Sequence, residues 1–434
     1  MQITRFIFVL LISAYSQWTL ASLPIQHWQT SAGARVYFVE SHDLPMLDIS
    51  VEFAAGSSMD SADKSGNANL VRHLLSLGAG GLSEDQIATA LADVGAQLNS
   101  HFDRDRAGMA LRTLSSERER KQALDIFARI IQSPEFPQAV LAREKARIAL
   151  SIKESSTKPD HIADHALMKM LYGDHPYGLD DLGEIDTVNA LKRENLLSFY
   201  RAYYVAKNAI IVIIGDVNQS EAIVIAESLT KQLPVGQQTT EIPVVQIPKA
   251  ETKRIPHPAT QSHIQLAYPG LRRGDPDYFP LLVGNHILGG GGFVSRLMEE
   301  VRQQRGLAYS VYSSFSPYKE QGPFQIGLQT KKEQSEEAFA LTQKVLKEFV
   351  SGGPTEDELI AAKQNIIGGF PLRIDSNSKI LSFLAMIGFY NLPLTYLTDY
   401  LAAVEAVTTD QIKQAFQRRI QPEGMVAVIV GSVE

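Results

Sequence analysis

The chain repeats itself once, and that repeat limits its possible folds more than any other feature. Residues 188–217 match residues 404–433 without a gap, 216 residues further along the chain. Each copy has apolar residues three and four apart, then a short break, then β-branched residues ending in glycine, which predicts a helix followed by a strand. A second pair, 100–114 and 314–328, lies 214 residues apart and predicts two strands around a turn. The sequence therefore predicts two homologous domains of about 200 residues each.

The order of the predicted elements indicates the fold class. Two strands are predicted within residues 34–53, and helices follow at 67–77, 83–94, 116–132, 138–153 and 161–171. Because strands occur next to strands and helices next to helices, we predict an α+β fold in which each domain has a mixed, mostly antiparallel sheet covered by helices. Residues 231–258 are rich in Pro, Gln and Thr and are predicted to be a linker between domains at 22–230 and 259–434.

The N-terminal residues have the pattern of a secretory signal peptide. Arg5 precedes an apolar stretch at 6–14, and the small residue Ala21 stands at a plausible cleavage point. The apolar stretch is shorter than the roughly 20 residues that a membrane-spanning helix needs. We therefore predict a signal peptide at 1–21, export to the periplasm, and no membrane span in the mature chain.

Charge and cysteine content exclude several classes of function. The formal net charge is -7 and the chain has no long Lys/Arg run, so nucleic acid is not an expected partner. The chain has no cysteine, which excludes disulfides, thiolate metal sites and a cysteine nucleophile. Any chemistry must come from histidine, carboxylate or hydroxyl side chains.

Four stretches of the chain resemble landmarks of the insulinase/pitrilysin metallopeptidase family. They are EFAAGSSMDSADKSGNANLVRHLL at 52–75, HPYG at 175–178, IIGDV at 213–217 and LGGGGFVSRLMEEVRQQRGLAYSVYSSFSPY at 288–318. Within this family, the chain resembles the short bacterial periplasmic members, which are similar to mitochondrial processing peptidase subunits. The resemblance covers nearly the whole mature chain, with the landmarks in the same order. It implies that the two domains form half of a clamshell, which a second chain completes in the short members of the family.

The zinc motif of the family is degenerate in this sequence. Active members carry His-x-x-Glu-His on a helix, where two histidines on one face bind zinc and the glutamate activates the metal-bound water. The matching positions here include Asn69, Arg72 and His73, so only the second histidine remains. Asparagine is a poor zinc ligand, and Arg72 places a cation where the general base belongs.

The third zinc ligand of the family is also missing. The resemblance implies a glutamate on a later helix, in a pattern that Glu144 and Lys145 open. Ala149 and Leu150 occupy the expected ligand positions, and Glu154 lies a helical turn beyond them. We therefore predict no metal in this chain.

His161 and His165 form a second histidine pair at helical spacing. With Asp164 they read His-x-x-Asp-His, and two such side chains could bind a metal on an exposed face. The family resemblance places them on a different helix from the zinc motif. We expect a solvated helix face here, and a metal at this pair stays the alternative.

The second domain keeps the residues that the resemblance associates with substrate. Arg305 and Tyr309 match a pair that holds the peptide backbone and stabilises the reacting carbonyl, as N–H and O–H donors can. The alternative is a cation at a helix C-terminus and an aromatic residue in the core. A glycine run, for which a flexible connection is the alternative, is implied to lie near the substrate; its members are Gly289, Gly290, Gly291 and Gly292.

Together these residues suggest one half of a divided active site. We predict a non-catalytic, substrate-binding subunit of a heterodimeric zinc metallopeptidase that acts on peptides or unfolded protein segments. Zinc is then expected in a homologous partner subunit, and this chain binds the peptide as an added strand at a sheet edge. Two alternatives remain open: a self-sufficient zinc endopeptidase with unusual ligands, and a structural subunit without a peptide role.

Overall fold

The computed structural model describes residues 24–237 and 241–431, so the predicted signal peptide at 1–21 lies outside the described residues. The first half forms a six-stranded sheet in the order β1-β2-β8-β3-β7-β6. Only β2 and β8 pair in parallel; the other neighbours are antiparallel. Its strands are β1 (Gln26–Gln29), β2 (Arg35–Glu40), β3 (Met46–Phe53), β6 (Gln97–Phe102), β7 (Ala107–Leu114) and β8 (Ala209–Gly215), with a separate hairpin of β4 (Gly78–Ala79) and β5 (Leu82–Ser83).

The helices of the first half cover this sheet and include the predicted ones. The central strand β8 is buried along its whole length, as its continuous β-branched sequence requires. The helices are α1 (Asn67–Leu74), α2 (Glu84–Ala92), α3 (Glu117–Gln132), α4 (Gln138–Ser155), α5 (Pro159–Tyr172), α6 (Ile185–Ala190), α7 (Arg193–Tyr203) and α8 (Gln219–Thr230).

The second half builds a five-stranded sheet in the order β11-β12-β10-β13-β9. Its strands are β9 (Glu251–Ile255), β10 (Gln261–Pro269), β11 (Ala308–Phe315), β12 (Pro323–Lys331) and β13 (Val426–Val430). Its helices are α9 (Tyr278–Asn285), α10 (Ser335–Gly352), α11 (Glu356–Gly369), α12 (Asn377–Phe389), α13 (Tyr396–Glu405) and α14 (Thr409–Arg419).

Strand β9 lies within residues 231–258, which the sequence predicts to be a linker. It pairs in parallel with β13, so this part of the segment belongs to the second sheet. Strand β9 has mostly exposed polar and charged side chains, so its sequence lacks the apolar alternation that predicts a strand. Such side chains are common on the edge strand of a sheet. The α+β prediction is confirmed, with mixed, mostly antiparallel sheets and helices in both halves.

Each half contributes one helix to the sheet of the other. Helix α5 of the first half packs on β10 and β13, and helix α12 of the second half packs on β8 and β3. These contacts form two apolar clusters, one that joins Leu167 to Val428 and one that joins Leu384 to Ile210. Because the shared surfaces are buried and apolar, we expect the two halves to behave as one body.

The repeated hairpin turns of the two halves also meet. Asp105, in the turn between β6 and β7, is buried and accepts the backbone N–H of Lys319 at 2.7 Å. It also accepts the hydroxyls of Tyr177 at 2.7 Å and Tyr390 at 2.8 Å. Asp105 and Lys319 are related by the repeat offset, so this contact lies at the pseudo-symmetric centre of the chain. Among the described residues, no helix is long and apolar enough to cross a membrane.

Candidate degenerate metal site

Helix α1 carries the degenerate motif and is held at its start by a buried carboxylate. Asp60 accepts the backbone N–H groups of Gly66 and Ala68, each at 2.9 Å. Gly66 has a φ of 92°, a conformation that favours glycine. Burial raises the pKa of Asp60 to about 7, although these N–H groups oppose the shift. The helix packs against β6 and β7, so its motif faces the free edge of the first sheet.

Arg72 occupies the position that the family resemblance assigns to the general base. Its guanidinium donates to Asn69 Oδ1 at 2.7 Å and to Ser100 Oγ of β6 at 2.8 Å. It also lies over the ring of Phe102, 5.6 Å from the centroid. Burial lowers the pKa of Arg72. The side-chain oxygen of Asn69 thus accepts a hydrogen bond from Arg72, and neither side chain is available to activate a metal-bound water.

His73 is bonded to a buried glutamate. Its Nε2 lies 2.9 Å from Glu144 Oε2, and the Glu144 side chain is 1% exposed. Arg143 Nε and Arg147 Nη1 donate to the same carboxylate at 2.6 and 3.0 Å. Burial alone would raise the pKa of Glu144, but the hydrogen bonds from His73 and Arg143 outweigh it and lower the pKa. His73 therefore has a hydrogen-bond partner, as a structural residue requires.

Ala149 and Leu150, where the sequence analysis sought the third ligand, point away from this cluster. Each residue turns an α-helix by about 100°, so they project about 140° and about 120° from Glu144 around α4. The Leu150 side chain is 56% exposed. Ser151, seven residues after Glu144, lies about 20° from it and is the nearest match to its face. A serine hydroxyl adds no strong zinc ligand there.

The residues at this site do not fit zinc. His73 is the single histidine, its neighbour Glu144 is neutralised by two arginines, and Arg72 supplies a third cation beside it. Zinc sites need three or four nitrogen, sulfur or carboxylate ligands. In the described part of the chain, no group of three His, Cys, Asp or Glu side chains could hold a metal ion.

The second histidine pair lies on α5, apart from the degenerate motif. The rings of His161 and His165 are stacked with centroids 6.4 Å apart. His165 lies 3.3 Å from Asp180 and 3.6 Å from Glu184, and the hydrogen bond to Asp180 raises its pKa against the effect of burial. His165 is therefore paired with acidic side chains on a partly exposed surface.

The glycine run is closely packed at Gly289 and has open space at Gly292. It continues α9 through a π-helical turn at His286–Gly290. A side chain at Gly289 would approach the backbone nitrogen of Ser313 in β11 to 2.6 Å. One at Gly291 would approach the carbonyl of His286 to 2.6 Å, and Gly292 has a φ of 64°. The glycines bring this loop against the edge strand β11.

Tyr309 and Arg305 have separate neighbours. Tyr309 lies at a bulge at the start of β11 and is 77% exposed, so it is not a core residue. Arg305 donates to Glu300 Oε2 at 2.8 Å. Arg302, which the sequence analysis did not single out, stacks between Tyr309 at 5.1 Å and Phe293 at 4.7 Å. Two arginines and two exposed aromatics thus flank the glycine run.

The sequence analysis also missed the contacts of β6. Ser100 and Phe102 complete the environment of Arg72, yet nothing in their local pattern indicates a site. Arg302 lies within the stretch that carries the family resemblance, but its spacing from Tyr309 spans a helix and a strand and so gave no signal of their contact.

Comparison with family models agrees with these observations. Residues 35–183 match the model described as insulinase (peptidase family M16), and residues 190–366 match that described as peptidase M16 inactive domain. The non-peptidase homolog YmxG of Helicobacter pylori is 25% identical over 433 residues, 99% of this chain and 98% of the relative. The uncharacterized zinc protease YmxG of Bacillus subtilis is 26% identical over 359 residues, 82% of this chain and 86% of the relative.

Solved structures show the same fold. A peptidase M16 inactive domain from Pseudomonas fluorescens superposes with a TM-score of 0.92 and is 38% identical, covering 95% of this chain and 98% of that chain. A protease from Helicobacter pylori superposes with a TM-score of 0.84 at 19% identity, covering 94% and 99%. The chain therefore belongs to the insulinase (M16) peptidase family, as a homologue whose zinc motif is degenerate.

Proposed function

We propose that this chain is the non-catalytic, peptide-binding subunit of a heterodimeric zinc peptidase. The observation that carries the proposal is Arg72, which fills the place of the general base and bonds to Asn69 and Ser100. A chain with this cluster does not supply a metal-bound water of its own. Its homologous partner would supply the zinc and the hydrolysis, and this chain would bind and position the peptide.

The free edge of the first sheet supports a peptide-binding role. Strand β6 pairs only with β7, so the outer side of Gln97–Phe102 presents unpaired backbone groups. An extended peptide can add to such an edge by main-chain hydrogen bonds, with its alternate side chains directed to opposite faces. On one face of β6, Ser100 contacts Arg72. On the opposite face, Gln97 and Asn99 line a cavity of about 480 Å³.

The exposed surface at the start of β11 supports contact with a second chain or with its substrate. Strand β11 is also a sheet edge, and Phe293, Val294 and Tyr309 are exposed beside it. Arg302 and Arg305 add guanidinium donors to this apolar surface. Clustered aromatic and arginine side chains are enriched where proteins bind one another or a peptide.

Cleavage of a quenched fluorescent peptide tests the proposal. A homologue from the same source that retains His-x-x-Glu-His is assayed alone, this chain is assayed alone, and the two are then mixed. We expect this chain to be inert, and the mixture to cleave faster than the homologue, with full inhibition by a chelator. Chelator-sensitive cleavage by this chain alone would overturn the proposal, as would a mixture no faster than the homologue.

We also propose a periplasmic location, supported by the signal-peptide pattern at residues 1–21. Cell fractionation followed by N-terminal sequencing of the mature chain tests it. A chain that begins after residue 21 in the periplasmic fraction is expected, and an unprocessed chain in the cytosol would contradict the proposal.

A further inference from the structure

A cavity at the junction of the two halves is lined by four basic side chains. Its volume is about 260 Å³. Arg35 begins β2 and Lys207 precedes β8 in the first half; Arg273 follows β10 and Lys319 lies in the β11–β12 turn of the second half. The cavity is separate from the degenerate metal site and from the glycine run. It therefore needs an explanation of its own.

Among the described residues, these four cations have no salt-bridge partner, in contrast to other arginines of the first sheet. In the described ranges, no carboxylate oxygen lies within 4.0 Å of the side-chain nitrogens of any of the four. By contrast, Arg112 pairs with Asp48 at 2.8 Å and Arg106 with Glu52 at 2.8 Å. The formal net charge of the chain is -7, yet these four cations meet in one cavity without a carboxylate partner among the described residues.

Arg273 has a buried donor that faces no acceptor. Its Nε is buried, and no hydrogen-bond partner for it is present in the part of the chain that the structure describes. The guanidinium lies over the ring of Tyr390, 5.6 Å from the centroid, and the Tyr390 hydroxyl is bonded to Asp105. The ring therefore holds Arg273 in place without accepting a conventional hydrogen bond from Nε. A buried donor left unpaired is costly, so a ligand that accepts from it would be stabilised.

The remaining lining groups do not neutralise the cavity. Among the described residues, Glu241 is the one carboxylate that lines the cavity, and its side chain is exposed. Asn391 accepts a hydrogen bond from Arg35. The nearby carboxylate of Asp105 is already bonded to two tyrosine hydroxyls and to the backbone of Lys319. The net charge of the lining is positive.

We propose that this cavity binds a phosphate group. Guanidinium and ammonium donors are well suited to phosphate, whose oxygens accept several charge-assisted hydrogen bonds at once. The volume is below the roughly 300 Å³ at which pockets for drug-sized ligands begin, which favours a small anion or the terminal group of a phosphate ester. Because the cations come from both halves, the bound anion joins them and stabilises the folded chain.

Calorimetric titration and thermal melting with inorganic phosphate test the site. The full mature chain is compared with two single variants, Lys207→Met, which removes an exposed cation, and Arg273→Gln. The matched control is Lys153→Met, an exposed lysine on α4 outside the cavity. Each variant is melted in phosphate and in chloride of equal ionic strength, so that general screening is separated from binding.

Saturable phosphate binding with a rise in melting temperature is expected for the wild type and for Lys153→Met. Lys207→Met and Arg273→Gln are expected to bind about 10-fold to 100-fold more weakly, the loss that one hydrogen bond between charged groups produces. A parallel titration with phenyl phosphate distinguishes a free phosphate ion from a phosphate ester. An equal effect of chloride, or unchanged phosphate binding by both cavity variants, would overturn the proposal.

Discussion

Replacing Glu144 with glutamine removes the negative charge at the centre of the degenerate metal site. The carboxylate is 1% exposed and accepts from His73, Arg143 and Arg147 at 2.6 to 3.0 Å. Breaking a fully buried ion pair costs about 3 to 5 kcal/mol. Arg143 and Arg147 are 49% and 71% exposed, so water can solvate them in the variant and the cost is smaller. We expect the free energy of unfolding to fall by about 2 kcal/mol at pH 7.

The stabilisation by Glu144 depends on pH in one direction. The pKa of Glu144 is lower in the folded chain than in the unfolded chain, so its ionised form stabilises the fold. That stabilisation is complete above the unfolded pKa of about 4.3 and is lost as the pH falls through the folded pKa. The difference between wild type and Glu144→Gln should therefore be constant near neutral pH and shrink in acid below about pH 5.

Urea denaturation at several pH values measures this difference. Glu154→Gln is the matched control, because Glu154 lies on the same helix and is exposed. The control is expected to change the free energy of unfolding by less than about 0.5 kcal/mol. If Glu144→Gln behaved like the control, or if its effect did not shrink in acid, the account of Glu144 as a structural partner of His73 would be refuted.

Three further outcomes follow from the site. The dialysed mature chain should contain no stoichiometric zinc by metal analysis; zinc that is retained and then lost in His73→Ala would contradict this. Arg305→Ala and Tyr309→Phe should each lower peptide cleavage by the assembled heterodimer about 100-fold to 1,000-fold with an unchanged melting profile, and unaltered rates would assign both residues a structural role. Gly289→Ala should lower stability by about 1 to 3 kcal/mol, because its methyl group would meet the backbone of Ser313, and an unchanged melting temperature would show that the loop can move.

The exchange of α5 and α12 bears on how the chain would work as a subunit. Each helix covers the sheet of the other half, so separating the halves would expose apolar surface on both sheets. A rigid chain keeps the β6 edge and the glycine run at a constant separation. Binding would then cost little ordering of this chain, which favours a positioning role for it.

The sequence by itself determined the repeat, the α+β fold and the loss of the zinc motif. These features depend on local pattern: a helix places residues four apart on one face, so Asn69 and His73 can be judged as ligands without a tertiary structure. The glycine run was also visible in the sequence, although its role was not. A flexible connection and a closely packed loop can have the same glycine-rich sequence. Only the close approach of Gly289 to β11 distinguishes them here.

The tertiary structure decided every feature that depends on residues far apart in the chain. His73 and Glu144 are 71 residues apart, and the hydrogen bond between them exists because α1 and α4 pack together. That packing turns Glu144 toward His73, and helical rotation from Glu144 then directs Ala149 and Leu150 to other faces of α4. Strand β9 and the four-cation cavity likewise arise from pairing between distant segments. Sequence periodicity predicts which face of a helix or strand is apolar, but it does not predict which other element that face will pack against.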